Sequence, residues 1–213
     1  QSVLLPKQKL YRVVADEYIV LDSENRSVRE AIELYHEIQH KINFFIEEKR
    51  YEVFYTISAG ILDFSQIESH DYHNLMKLAE FALNEAKNRG KNKCYIYDHE
   101  DYKAFLHKKE LTSLMLQSIN HDFEGFEAYY QPIMDIKADK LCRAETLLRF
   151  HNEKFGMVSP AEFIPLLEES NLIIPVGRWV LEQAMAACAR IQKNIPNFSL
   201  SVNLSYIHYE SEA

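Results

Sequence analysis

Short β-rich runs alternate with longer amphipathic stretches twice along this sequence, and that alternation limits the fold more than any other feature. In the first series, residues 10–21 (LYRVVADEYIVL) read as two short apolar strands broken at Ala15-Asp16-Glu17, a hairpin whose turn carries two carboxylates. Ser27 opens a helix: Glu30 stands at capping-box spacing, and Val28, Ala31, Tyr35, Ile38, Ile42 and Phe45 follow at helical intervals, so one face should be buried. Residues 53–64 (VFYTISAGILDF) form a β-rich run of strand length, 71–89 are helical up to Gly90, and KCYIYD (93–98) completes a β-α-β-α-β alternation. Residues 100 to about 120, charged and studded with Leu and Met, read as a helix connecting two domains.

The second series runs FEAYYQPIMDI (126–136), LCRAETLLRF (141–150), a helix over 159–169, another over 175–192, and the strand FSLSVNLS (198–205). Strands alternating with helices predict parallel pairing in an α/β sheet or barrel. Met134, Phe163, Leu166 and Trp179 are expected in its core. The predicted spans are 1–99, 100–122 for the connector, and 123–213.

Composition excludes some classes of function. With 47% hydrophobic and 26% charged residues the chain can bury a core. A formal net charge of -8 argues against nucleic-acid or anionic-membrane partners, which need concentrated Lys and Arg. Cys94, Cys142 and Cys188 are widely spaced with no CxxC pair, which suggests neither a disulfide framework nor structural zinc. No charged-then-apolar leader and no bilayer-length apolar run are evident, so the expected location is cytoplasmic, with any membrane anchor lying in segments of a longer parent.

His36-Glu37-Ile38-Gln39-His40 matches the HExxH pattern of zinc peptidases, in which two His one turn apart bind metal and the Glu acts as base. Here Tyr35, Ile38 and Ile42 define the buried stripe, leaving His36, Glu37 and His40 toward the polar side. Asn43 and Ile46 also occupy the places of the Gly and His that extend the metzincin motif. The pattern is therefore read as exposed helix surface.

YYQPIMDIKADKLCRAETLLRF, then GMVSPAEFIPLLEESNLIIPVGRWVLEQA, then SLSVNLS resemble, in order, the opening of EAL domains, over about residues 123–207. The resemblance implies a modified TIM barrel and metal-dependent hydrolysis of cyclic di-GMP to linear pGpG, with Mg²⁺ or Mn²⁺ as cofactor. Glu145 stands at the Glu of the signature tripeptide, here Glu145-Thr146-Leu147 with Thr for the usual Ala, and is implied as catalytic and as a metal ligand. Asn203 stands at a second metal ligand. Gln131 and Arg149 resemble substrate-contacting positions. These types suit the chemistry: a carboxylate and an amide carbonyl offer the oxygen donors such cations prefer, and a guanidinium can grip a phosphodiester through paired N–H groups. A TIM barrel takes roughly 250 residues, so the approximately ninety residues after the connector are expected to supply only its first units and no complete hydrolytic site.

The first half resembles a diguanylate cyclase (GGDEF) domain without its N-terminal half. Val14-Ala15-Asp16-Glu17-Tyr18 sits where that family carries its Gly-Gly-Asp-Glu-Phe hairpin, YTISAG resembles the next strand, and LAEFALNEAKNRGKNKCYIYD the final helix and strand. Val14 and Ala15 replace two Gly that let the backbone approach GTP, and the product-inhibition motif is missing at Leu5-Pro6-Lys7-Gln8. The implied domain is degenerate and without cyclase activity. Asp16 and Glu17 could still hold a divalent cation, and Lys87, Arg89 and Lys91 could meet phosphates, which leaves regulatory GTP binding open.

The expected fold is thus α/β: an α+β GGDEF-like part followed by the first strand–helix units of a TIM-like EAL barrel. The expected function is bacterial cyclic di-GMP signalling, with a homodimer through EAL domains as the family implies. Against the phosphodiesterase stands a non-catalytic receptor for cyclic di-GMP or GTP.

Overall fold

The structure, a computed structural model, describes residues 3–24, 26–137 and 139–210. The outer ends of the predicted spans, 1–2 and 211–213, lie outside the described residues. The chain divides into two compact units, 1–104 and 105–213.

In the first unit, β1 (Gln8–Val14) and β2 (Glu17–Asp22) form an antiparallel hairpin. Helix α1 (Val28–Lys49) begins where the capping box places it: the Ser27 side chain accepts from the Glu30 N–H, and the Glu30 carboxylate accepts from the Ser27 N–H at 2.8 Å. β3 (Ala59–Ile61) pairs in parallel with β4 (Cys94–Ile96), joined through α2 (Tyr72–Asn88), whose N-cap is Asp71. The core gathers Leu78, Phe81, Ala82 and Ala86 of α2 with Tyr95, Tyr97 and Ile67, and the Phe81 ring meets Tyr95 and Tyr97 edge-on at 6.2 and 6.3 Å.

Two expectations fail here. The β-rich run 53–64 keeps only three residues of strand, because a strand persists only where a neighbour completes its ladder and β4 offers three residues. Val53, Phe54 and Tyr55 are exposed. On α1 only Tyr35 is buried, while Ile42 and Phe45 stay exposed.

Several carboxylates of this unit are held below their ordinary range by hydrogen bonds. Asp101 accepts from the Tyr95 hydroxyl at 2.7 Å, its largest influence, and from Arg89 at 2.8 Å. Asp71 accepts from the Ser69 hydroxyl and the Asn74 N–H, Asp63 from the Ser65 hydroxyl and N–H, and Glu30 from the Ser27 N–H and hydroxyl. A carboxylate whose folded pKa is depressed stabilises the fold above its unfolded pKa and ceases to do so as pH falls through the folded value. The first unit should therefore loosen below about pH 4. Amide exchange in 71–101 followed from pH 6 to 3 would show it, with Asp101→Asn flattening part of the dependence; protection independent of pH would contradict it.

In the second unit, α3 (His99–Asn120), which begins in the first, leads into β5 (Phe126–Asp135) and β6 (Lys140–Asn152), then β7 (Gly156–Val158), α4 (Pro160–Glu169), α5 (Ile173–Gln192), β8 (Ser199–Val202) and the short α6 (Ile207–Glu210). The sheet order is β5-β6-β7, with β8 added parallel to β6. The expected parallel pairing thus holds only for β6 and β8. β5 and β6 are antiparallel, because the link 136–139 is far too short for a crossover. β7 has no counterpart in the sequence reading.

Residues alternate between the faces of the sheet. Phe126, Ala144, Thr146 and Phe150 are buried on one face, where α3, α4 and α5 supply Leu111, Met115, Phe163, Leu166, Leu167, Val176 and Val180. Burying side chains such as Phe150 and Phe163 contributes about 1.5–3 kcal/mol each. Trp179 packs partly against this core, stacked on Phe123 at 5.3 Å, whereas Met134, expected inside, is exposed near the far end of the hairpin.

Thr146 is the exception within this apolar layer. It is 3% exposed, and among the described residues its Oγ1 has no hydrogen-bond partner. An unsatisfied buried hydroxyl costs about 1–3 kcal/mol. Thr146→Val keeps the shape and removes the hydroxyl, so the second unit should gain about 1 kcal/mol. A higher urea midpoint at unchanged slope is the expected result, and a lower midpoint would count against it.

Candidate functional site

The opposite face of the β5–β6–β8 sheet carries the candidate residues. Glu145, Leu147 and Arg149 alternate with the buried Ala144 and Thr146 and the partly buried Leu148, so β6 turns them away from the helices. The antiparallel register sets Gln131 directly across from Glu145, Tyr129 across from Leu147, and Glu127 across from Arg149. Directly paired residues share a face, which puts Gln131 beside Glu145 and Tyr129 diagonally beside Arg149. Tyr130, of opposite parity, faces the helices and donates its hydroxyl to the Gln183 carbonyl at 3.2 Å.

β8 adds the last member. Ser201 pairs with Glu145, and Asn203, two residues on and just past the strand, keeps the same parity. Its Nδ2 donates to Glu145 Oε1 at 2.8 Å. Glu145 is half-buried and Asn203 exposed. The residues Gln131 and Glu145, on adjacent strands, and Asn203, just past the end of β8, thus come together although 72 positions separate the first from the last.

Arg149 stands four residues along β6 from Glu145, roughly 13 Å at strand rise. Its Nη1 donates to the Leu148 carbonyl at 2.9 Å, and its guanidinium lies over the Tyr129 ring with Cζ 5.5 Å from the centroid. Among the described residues it makes no ion pair. Glu127, across the ladder, instead approaches His151 at 3.9 Å.

The Glu145–Asn203 pair offers part of a cation site. The carboxylate already lies within hydrogen-bond reach of the amide, and a half-turn of that amide would aim its oxygen at the same point, giving two hard oxygen donors. Two donors fit part of the six or so that a divalent cation takes. Among the described residues no group of three His, Cys, Asp or Glu is positioned to hold a metal ion.

In the first unit the five residues 14–18 form the hairpin turn and its shoulders. Ala15 takes a φ of 44°, the left-handed region that favours Gly, and Arg12 secures its carbonyl through Nε at 2.9 Å and Nη2 at 2.7 Å. Val14, Ala15, Asp16 and Tyr18 are exposed, and Glu17, in β2, lies 3.4 Å from Lys87 Nζ. Arg89 is engaged by Asp101 and Glu85. The backbone thus keeps a shape suited to Gly with Ala in place. Of the HExxH residues, His36, Glu37 and His40 are exposed on α1, and His36 Nδ1 lies 3.3 Å from Gln39 Oε1.

Sequence reasoning missed Tyr129 and Ser201 as members of the open face. Alternation from Gln131 and from Asn203 carries the signal for each, but it acquires meaning only when the ladder register is known.

Comparison with known proteins agrees with this division. The profile described as "Diguanylate cyclase, GGDEF domain" matches residues 1–93, and that described as "EAL domain" matches 116–213. The chain is similar to the Cyclic di-GMP phosphodiesterase PA2567 of Pseudomonas aeruginosa, 34% identical over 153 residues that make up 70% of this chain and 25% of that protein. It is also similar to the Signaling protein YkoW of Bacillus subtilis, 28% identical over 212 residues, 99% of this chain and 26% of that one. Among solved structures, the EAL enzyme Bd1971 in its cAMP-bound form is 27% identical, with a TM-score of 0.43 over 52% of this chain and 34% of that one. The chain spans between 19% and 26% of the length of the first curated relatives it matches. No helix among the described residues is long and apolar enough to cross a membrane. The chain therefore belongs to the GGDEF–EAL proteins, with GGDEF-family sequence in its first unit and EAL-family sequence in its second.

Proposed function

We propose that the protein to which this chain belongs hydrolyses cyclic di-GMP to linear pGpG, with Glu145 and Asn203 as two of the ligands to Mg²⁺ or Mn²⁺ and with Gln131 and Arg149 holding the dinucleotide. The observation that carries the reading is the 2.8 Å approach of Asn203 to Glu145 on the one sheet face the helices leave open, with Gln131 in register beside them. In such a hydrolysis a water oxygen bonds to one phosphorus, the P–O bond to the ribose 3′ oxygen breaks, and that oxygen takes up a proton. The product is a linear dinucleotide with a 5′ phosphate. A divalent cation, when bound, would polarise the phosphodiester and lower the pKa of a water ligand. Glu145 would orient that cation, and the amide of Gln131 would hydrogen-bond the substrate beside the reacting phosphate. Arg149, about 13 Å along the strand, would grip the second half of the dinucleotide through paired N–H donors.

The first unit serves in this reading as a non-catalytic regulatory domain that lacks cyclase activity. Ala15 holds the turn in a glycine-like conformation, but its methyl group and the Val14 side chain project where two Gly would leave room for a nucleotide. GTP binding there, and pairing of EAL domains into a homodimer, are further elements of the proposal.

The test is conversion of cyclic di-GMP to pGpG by the full-length polypeptide with Mg²⁺ or Mn²⁺, against a sample stripped with a chelator. Metal-dependent conversion supports the reading. Binding of cyclic di-GMP without cleavage would replace it by a non-catalytic receptor.

A further inference from the structure

We infer that Tyr129 is a positioning residue for the substrate-binding guanidinium: its ring holds Arg149 on the open sheet face and away from the carboxylate across the ladder. The inference rests on the proposed reading of Arg149 as a phosphodiester ligand. It starts from an imbalance in the pairing of β5 with β6.

Arg149 lies directly opposite Glu127, where an Arg–Glu cross-strand ion pair would be the ordinary outcome. Instead the Glu127 carboxylate turns toward His151, 3.9 Å from Nδ1, and the Arg149 guanidinium lies diagonally over the ring of Tyr129, with Cζ 5.5 Å from the centroid. Among the described residues Arg149 makes one side-chain hydrogen bond, from Nη1 to the Leu148 carbonyl, which fixes the near side of the fork. A ring face attracts the cation without occupying its N–H donors, which lie in the guanidinium plane. The cation is thereby oriented while its outer donors stay available to an anion. An ion pair to Glu127 would occupy those donors and cancel the charge that a phosphodiester needs.

Tyr129 suits this task by its own placement. It is 47% exposed, shares the face of Gln131 and Glu145, and pairs with Leu147 at the midpoint between Glu145 and Arg149. Tyr130, its neighbour in sequence, cannot substitute because it points to the helices.

The experiment is a double-mutant cycle in the full-length polypeptide: wild type, Tyr129→Leu, Arg149→Ala and the double variant, with Tyr129→Phe as the conservative control. KM and kcat for cyclic di-GMP and its Kd are measured on each, together with urea unfolding. Tyr129→Leu should raise KM and Kd about fivefold with kcat within about twofold of wild type, Tyr129→Phe should match wild type, and the Tyr129→Leu effect should vanish once Arg149 is Ala. An unchanged KM in Tyr129→Leu, a loss in Tyr129→Phe as large as in Leu, or the same fivefold loss in the Arg149→Ala background would each overturn the inference. If the wild type neither binds nor cleaves cyclic di-GMP, the phosphodiesterase reading has failed, and the unfolding cycle decides the pairing by itself. A coupling of about threefold in the unfolding equilibrium upholds it, and additive effects overturn it.

Discussion

Glu145→Ala should lower hydrolysis of cyclic di-GMP by the full-length polypeptide by about three orders of magnitude. The size follows from what the carboxylate would do. Loss of a charged cation ligand removes several kcal/mol of charge stabilisation, and each 1.36 kcal/mol is a factor of about ten in rate. Glu145 is the one side chain among the described residues that the Asn203 amide hydrogen-bonds, so its loss also releases Asn203. Stability should hardly move: the residue lies on the open face, away from the Phe150–Phe163 core, where substitutions usually stay within about 0.5 kcal/mol. Steady-state turnover beside urea unfolding of the same samples separates the two effects. Turnover within about threefold of wild type would remove Glu145 from the site.

Gly125→Ala should be a severely damaging substitution for the fold of the second unit, at about 3 kcal/mol or more. Gly125 has a φ of +85°, and a Cβ there would meet the His151 carbonyl oxygen at 2.4 Å. Two costs add. The left-handed backbone costs an L-residue about 1–2 kcal/mol, and the collision is with main chain that cannot swing aside. That main chain is itself pinned, since the His151 N–H donates to the Gly125 carbonyl at 2.9 Å. Moving it would drag Phe150, fully buried at the centre of the core, and Phe126, the first residue of β5. Gly156→Ala supplies the control, because Gly156 also has a positive φ (+66°) but open space where its Cβ would lie. It should cost only about 1 kcal/mol. Equal urea midpoints for the two variants would show that the close approach to His151 contributes nothing.

Local order was largely legible in the sequence because it depends on neighbours in the chain. The Ser27–Glu30 capping box, the stop of α2 before Gly90, and the extended runs around Gln131 and Glu145 follow from spacing and side-chain chemistry, and the structure carries each of them. Likeness to the GGDEF and EAL families was legible for a related reason: short motifs such as YYQP, ETLLRF and VNLS keep their order along the chain. Where a local pattern needed a distant partner, it misled. Among the described residues the run at 53–64 has strong β character and no neighbouring strand for most of its length, and Ile42 and Phe45 keep a helical spacing yet stay exposed.

Only the tertiary structure decided which residues meet. Register is invisible in one strand alone, since shifting the pairing by one residue would turn Gln131 toward the helices and Tyr130 toward Glu145. The parallel addition of β8 to β6, closed through two helices, is what brings Asn203 to within 2.8 Å of Glu145 across 58 positions. The same packing gives Thr146 its buried hydroxyl, unpartnered among the described residues, where the sequence shows only a small change from Ala. Side-chain identity and spacing determined which chemistry this chain can offer; long-range backbone hydrogen bonding and close packing determined which of those groups stand together.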